Sequence, residues 1–533
     1  MNLKRSLQTF VVMGAVWACS LTFAQAADKI LFIPHDNRPI SAEETADVVR
    51  KAGYDVVMPP EEMLSSGYDR FGDTEALWKW TQENLPGAKA AMISADSMIY
   101  GGLVPSRKHE EPEEKLLNRA QRLADLQKEN PQLKLYVFAS LMRTPKSGAA
   151  AGVEEPEYYR TYGADIFRRS GLLDKQETTP LNPHEKQELS KLEAAIPQEI
   201  WQDWKNRRDK NVHVSKKLID MARAGELSYL VIGKDDNAPL SQTHREAREL
   251  NAYAQGISPT RFQLLAGIDE FGLLLMTRAV NDMENVIPFV YTEYAPGKGY
   301  DTVPSYSDAK IGDSVKAAIR VAGGVPVNNS DRADLILLVN TNANGATGES
   351  WNMQEGNKLF PANNGKWREN TQAMVQKVND YVYLRRNIAL ADIAFANGAD
   401  NALMEALQQR NLLYRLRAYS GWNTATNSTG FALATGMLSS RMSDDDCDKL
   451  LSMRFLDDWG YQSNVRGQVG ALVYGFRQDD AYAHIGQREG AITARLEKEM
   501  RLFAQKNLPP FSGLDEVRVK LPWHRMFEAA FSW

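Results

Sequence analysis

The chain has 533 residues, 43% of them hydrophobic and 25% charged, with a net formal charge of −5. That composition excludes disordered, collagenous, coiled-coil and polytopic membrane classes, and a core of this size needs no disulfide or metal staple. No basic block stands out, so a nucleic-acid partner is not expected.

The first residues read as an export signal. Lys4 and Arg5 form a positive n-region, Phe10 to Phe23 an apolar stretch short for a membrane span, and Ala24-Gln25-Ala26 a small-x-small cleavage site. The expectation is a signal peptide over residues 1–26, cut before Ala27, and a periplasmic or secreted protein with no transmembrane span after cleavage. Val16-Trp17-Ala18-Cys19 loosely resembles a lipobox, so a lipid anchor through Cys19 is the alternative. The only other cysteine, Cys447, is flanked by Asp444, Asp445, Asp446 and Asp448, whose field disfavours a thiolate nucleophile.

From Lys29 onward, short aliphatic runs alternate with amphipathic stretches. The runs are Ile30–Ile33, Tyr54–Met58, Ala90–Ile93, Leu133–Ala139, Tyr229–Ile232, Phe262–Ala266, Val286–Tyr291, Leu335–Val339, Asn387–Ala391 and Leu413–Ala418. Between them, Leu116, Leu117, Ala120, Leu123 and Ala124 make one helical face, and Val315, Ala318, Ile319 and Ala322 another. The alternation predicts an α/β fold of parallel sheets with helices on both faces. Two doubly wound units are expected, over 27–285 and 286–533, the second with a helical C-terminal region. The stretch from Pro145 to Ala224 contains no strand pattern and predicts a helical insertion over about 146–224; its Trp201, Trp204, Arg207 and Arg208 would roof the site. A single β/α barrel with extensions is the alternative.

Polar residues follow the carboxyl end of nearly every run. Asp36 and Arg38 follow the first, Asp96 the third (leading through Tyr100 to Arg107), and Arg143 the fourth. Asp235 and Asp236 follow the fifth, Asp269 and Glu270 the sixth, Glu293 the seventh, and Asn340 with Asn342 the eighth. Asp392 follows the ninth, and Trp422, Asn423 and Asn427 the tenth. In parallel α/β folds the ligand crevice lies beyond those carboxyl ends, so these residues can converge. Each also has a plainer reading. Asp269, Asp235 and Asn427 suit helix caps, Arg107 a surface cation and Trp422 the core.

Phosphate-loop, dinucleotide-binding, nucleophile-elbow and His-rich zinc motifs are all missing from the sequence. What remains is carboxylate chemistry. Asp236 and Glu270 are the expected acid/base or nucleophile pair, with Asp235 and Asp269 as like charges that split their pKa values and Asp96 and Asp392 in reserve. Arg38, Asp36, Arg107, Arg143, Asn423 and Asn427 are expected to bind substrate, and Tyr100 and Trp422 to stack on sugar faces. The expected function is an exported hydrolase of a carbohydrate or glycan-derived substrate that needs no cofactor. One alternative is a metal-dependent amide or ester hydrolase holding a divalent ion with Asp235, Asp236, Asp392 and His35. Another is a periplasmic ligand-binding protein without catalysis.

Several of these segments carry a resemblance as a set. They are Phe32 to Pro39, Asp96 to Arg107, Gly233 to Pro239, Gly267 to Glu270, Asp392 to Asp400, and Tyr419 to Asn427. Together they resemble the bacterial family known as domain of unknown function 4127, which implies no settled activity. His35 and Lys234 depart from the Leu-like and Gln-like residues expected of that family, which weakens His35 as a metal ligand. Asp392 to Asp400 is also distantly similar to a metal-site loop of a microcystin-degrading metallopeptidase family, in favour of the metal alternative.

Overall fold

The computed structural model describes residues 27–67, 70–148, 151–354, 360–474, 485–508, 513 and 516–533. The expected signal peptide, with Cys19, lies outside the described residues. Among the described residues, no helix is long and apolar enough to cross a membrane.

The first sheet is built from β1 (Lys29–Ile33), β2 (Asp55–Val57), β3 (Ala88–Ser94), β4 (Lys134–Leu141), β5 (Tyr229–Lys234) and β6 (Phe262–Ala266). All are parallel, in the order β2-β1-β3-β4-β5-β6. A second parallel sheet takes β7 (Phe289–Tyr294), β8 (Val325–Val327), β9 (Leu335–Asn340), β11 (Ile388–Asp392) and β13 (Ala418–Ser420). Its order is β8-β7-β9-β11-β13, with β10 (Gly348–Glu349) and β12 (Phe395–Ala396) pairing beside it. The strand order reverses between β1 and β3 in one sheet and between β7 and β9 in the other. Both are therefore doubly wound sheets with a switch point, where the loops diverge and leave a crevice. They are separate and open, so the single-barrel alternative does not form.

Every expected run carries a strand, although the last does so only from Ala418, because Leu413–Arg415 is a tight helical turn. β8 was not expected. It is three residues long with Pro326 at its centre, and it sits on the sheet edge, where a missing N–H is tolerated.

One layer of helices lies between the two sheets. Helices 43–51, 271–284, 311–321 and 425–438 share a single apolar cluster with Ile30 and Phe32 of β1 and with Leu335, Leu337 and Ala391 of the second sheet. Helix 425–438 is buried nearly all round, which its run of small and apolar residues permits. Between β4 and β5 the chain forms the helices Tyr159–Thr178, Pro183–Ala195 and Gln198–Ala224. Arg208 is wholly buried there and donates to the Met142 carbonyl (2.7 Å) beyond β4 and to Glu246 (2.7 Å), pinning the last of these helices to the first sheet. The C-terminal region is helical through 444–454, a wide π-type turn over 455–465 and helix 489–507; it ends in the hairpin β14 (Arg518–Lys520) and β15 (Ala530–Ser532).

Candidate functional site

The loop after β1 is set by its own aspartate. Asp36 accepts the Arg38 backbone N–H at 3.0 Å and its Nε at 2.9 Å, so the turn and the guanidinium are fixed together. Arg38 then reaches across to Asp269, donating to Oδ1 at 2.6 Å. His35 Nε2 lies 3.1 Å from the same oxygen. Burial opposes a charge on His35, but Asp36 and Asp269 outweigh it and raise its pKa.

Asp269 is reached from the opposite side by the second half of the chain. Asn427 donates to its Oδ2 at 2.9 Å and Asn423 at 3.3 Å. Burial resists ionisation of Asp269, yet Arg38 and His35 hold its pKa well below the usual carboxylate range. It therefore does not cap the next helix, which starts at Phe271 and has no side-chain cap. The other capping readings also give way: Ser241 caps the helix after β5, and Thr424 caps helix 425–438.

Glu270, the neighbour of Asp269, meets opposite conditions. It is 2% exposed, and its Oε2 has no hydrogen-bond partner among the described residues. Two glycines make room for it. A Cβ on Gly430 would stand 2.4 Å from Glu270 Cγ, and one on Gly267, whose φ is +99°, would stand 2.1 Å from Oε1. Burial, with Asp269 and Asp235 adding like charge, pushes the Glu270 pKa well above the carboxylate range. Asp96 is fully buried, neither of its oxygens has a hydrogen-bond partner within 3.5 Å among the described residues, and burial lifts it to about 7 against the pull of nearby Ser140 and His35.

After β5, Arg107 donates to Asp235, and Arg143 donates to Asp236 at 2.7 Å. Arg107 is buried rather than a surface cation. Asp236 holds φ at +38° and, by burial and the Asp235 charge, has its pKa raised to about 6 despite Arg143. Five residues absent from the sequence-derived set complete this centre. Arg143 also donates to Glu155 (2.6 Å) and Glu154 (2.7 Å), and Arg525 joins Glu154 (2.6 Å) to Glu528. Trp523 lies under the Arg38 guanidinium, 5.4 Å from ring centroid to Cζ, and donates its indole N–H to Asn37 at 2.8 Å. Their signal in the sequence is weak, since they stand well beyond the end of any apolar run that the sequence shows.

Other expected residues are placed elsewhere. Tyr100 and Trp422, read as stacking surfaces, are buried; Tyr100 stacks on His109 (5.0 Å) and Trp422 meets Phe431 edge-on (6.3 Å). Asp392 belongs to a network of the second sheet. It accepts from Asn340 (2.8 Å), the Asp400 backbone (2.7 Å) and Tyr419 (3.1 Å), and burial with the Asp400 charge lifts its pKa to about 7. It is thus not joined to Asp235 and Asp236. Among the described residues, no three of His, Cys, Asp or Glu are grouped so as to hold a metal ion.

Backbone strain collects at the same place. Of the nine non-glycine residues with positive φ among the described residues, five are Asp236, Tyr306, Asn397, Asn423 and Trp523. The Asn237 N–H donates to the Tyr306 carbonyl (3.1 Å), and the Asn397 N–H to the Asn423 carbonyl (2.8 Å). Non-glycine residues held in this region cost of order 1–2 kcal/mol each, and such strain concentrates at functional sites.

Fold and site together define a two-sheet, doubly wound α/β protein with a carboxylate- and arginine-rich centre where loops of both sheets meet. The chain belongs to the family described as protein of unknown function (DUF4127), whose model matches residues 30–532. No curated protein matches it.

Proposed function

We propose that this centre is the active site of an exported hydrolase acting on a carbohydrate or glycan-derived substrate, with Glu270 as the proton donor and Asp236 as the base. The observation that carries the reading is the split between these two carboxyls. Glu270 is buried, has no partner at Oε2 among the described residues and has its pKa pushed well above the carboxylate range, whereas Asp236 is only partly buried, is paired with Arg143 and has its pKa raised only to about 6. Asp235 raises both. Two carboxyl groups kept in opposite protonation states at neutral pH divide general-acid from general-base work.

The accessible groups around them suit a polyhydroxylated ligand. Asp236, Arg143, Asn423 and Asn397 are half-buried and polar, and they offer hydroxyl-matching donors and acceptors above the buried Arg38–Asp269 support. Export by cleavage before Ala27 belongs to the same reading, and the purified periplasmic or secreted protein should begin at that residue by mass.

The test is a panel of neutral oligosaccharides and aryl glycosides scored for new reducing ends. Turnover by the wild type should fall about 10³-fold or more in Glu270→Gln and in Asp236→Asn with folding retained. Turnover equal to wild type in both variants would overturn the assignment, and a wild type inert across the panel would overturn the substrate class.

A further inference from the structure

A cavity of about 860 Å³ lies outside the carboxylate centre, between helices 43–51 and 444–454, helix 425–438 and the C-terminal hairpin. Its floor is apolar. Val48, Leu273, Phe431 and Leu451 are all core residues, yet each lines it, and Leu450 and Met453 stand half-buried higher on its wall. Trp523 separates it from the centre, with Arg38 at one side of the ring and the cavity at another. Trp523 and the following His524 both hold positive φ, so the C-terminal segment is kept in a strained path that sets this ring as a partition.

The charged lining is nearly balanced, and two of its ion pairs form within the lining itself. Glu44 is bound to Arg454 and Asp47 to Lys51, and with Glu43, Glu61, Arg70, Lys449 and Lys520 the carboxylates number four against five cations. An apolar floor of this volume, a rim without a strong field and a polar end at Asn37, whose amide also donates to Glu61 (2.8 Å) and accepts from the Trp523 indole (2.8 Å), together specify a ligand. Cavities of about 300–1,000 Å³ with mostly apolar linings and a few placed polar groups are typical of small-molecule sites. We infer that this cavity is a second binding site, for a neutral amphiphile whose apolar body fills the floor and whose hydrogen-bonding end faces Asn37. It takes its ligand whether or not the carboxylate centre is a hydrolase.

The experiment uses the purified protein with N-phenyl-1-naphthylamine, a neutral dye that brightens in apolar surroundings, and octyl glucoside below its micelle concentration as competitor. Saturable binding of one dye per chain, displaced by octyl glucoside, is expected. Leu450→Glu and Met453→Gln, both at partly buried positions, should each weaken it at least 10-fold with thermal unfolding unchanged, and the anionic dye 1-anilinonaphthalene-8-sulfonate should bind more weakly than the neutral one. No saturable binding by the wild type would overturn the site, and so would binding that survives in both variants. Tighter binding of the anionic dye would overturn the neutral class. If one variant fails to fold, the other decides.

Discussion

Asn427, in the first turn of the helix after the last strand of the second sheet, donates to the Asp269 carboxylate beyond the first sheet at 2.9 Å. Asp269 in turn carries Arg38 and His35. One buried carboxylate therefore ties the switch point of the first sheet to the second half of the chain.

That link can be broken by one atom group. Asn427→Ala leaves Asp269 Oδ2 with only the longer Asn423 contact, and losing a buried hydrogen bond to a charged group should cost about 1.5–3 kcal/mol. Asn427→Asp places a second carboxyl against the first and should cost more. Urea unfolding checks the order wild type, then Ala, then Asp; equal midpoints would mean the link contributes nothing.

Gly430 gives a second prediction, because helix propensity and packing disagree there. In an exposed helix, Gly→Ala stabilises by about 1 kcal/mol. Here the new methyl would stand 2.4 Å from Glu270 Cγ and 2.6 Å from its Cβ. Gly430→Ala should therefore destabilise by about 1–3 kcal/mol and displace Glu270. Thermal unfolding compared with Gly467→Ala, where nothing lies within 4 Å of an added Cβ, isolates the packing term.

The pH dependence of stability follows from the raised carboxyls. The folded state lifts Asp96 to about 7 and Asp458 to about 8, in each case chiefly by burial, and lifts Glu270 in the same direction. Each binds its proton more tightly folded than unfolded, so its contribution is complete below about pH 4 and is lost as pH rises through the folded value. Asp269 has the opposite sign: its contribution is present above about pH 4 and lost as pH falls below that. Urea midpoints should peak in mild acid and decline between about pH 5 and 8, with a slope of up to about 1.4 kcal/mol per pH unit for each carboxyl still losing its proton in the folded state. A flat or rising profile would contradict this, and Asp96→Asn should flatten it.

Arg38 should not be replaceable by lysine. Its guanidinium serves Asp36 through Nε and Asp269 through Nη2 at once, which a single ammonium cannot do. Arg38→Lys should cost about 2–4 kcal/mol, near the cost of breaking a buried pair, and Arg38→Met at least as much. Stability within 0.5 kcal/mol of wild type, an arbitrary but strict limit of about the size seen for surface changes, would refute the dual role.

The sheets were legible because buried parallel strands are continuous apolar runs, and their carboxyl ends mark where a site must lie. Asp36, Arg38, Asp235, Asp236, Asp269 and Glu270 could thus be found from position alone. Position could not separate one sheet from the other, which is why Asp392 was grouped with Asp235 although it is bound by Asn340 and Tyr419. Nor could it give depth: Trp422 and Tyr100 follow strands, but face inward. The departure of His35 from the family pattern weakens it as a metal ligand but says nothing of its contact with Asp269, between residues 234 positions apart. Trp523 and Arg525 arrive from the far end of the chain, with no strand or motif to announce them.

A proton-donating Glu270 must be protonated at neutral pH beside an ionised Asp269, and difference infrared spectroscopy of wild type against Glu270→Gln reads this directly. The wild type should show a protonated-carboxyl C=O band at pH 7 that vanishes in the variant and survives Asp269→Asn. A difference spectrum showing instead only the loss of carboxylate bands would mean that Glu270 is ionised, and it would contradict the proton-donor role.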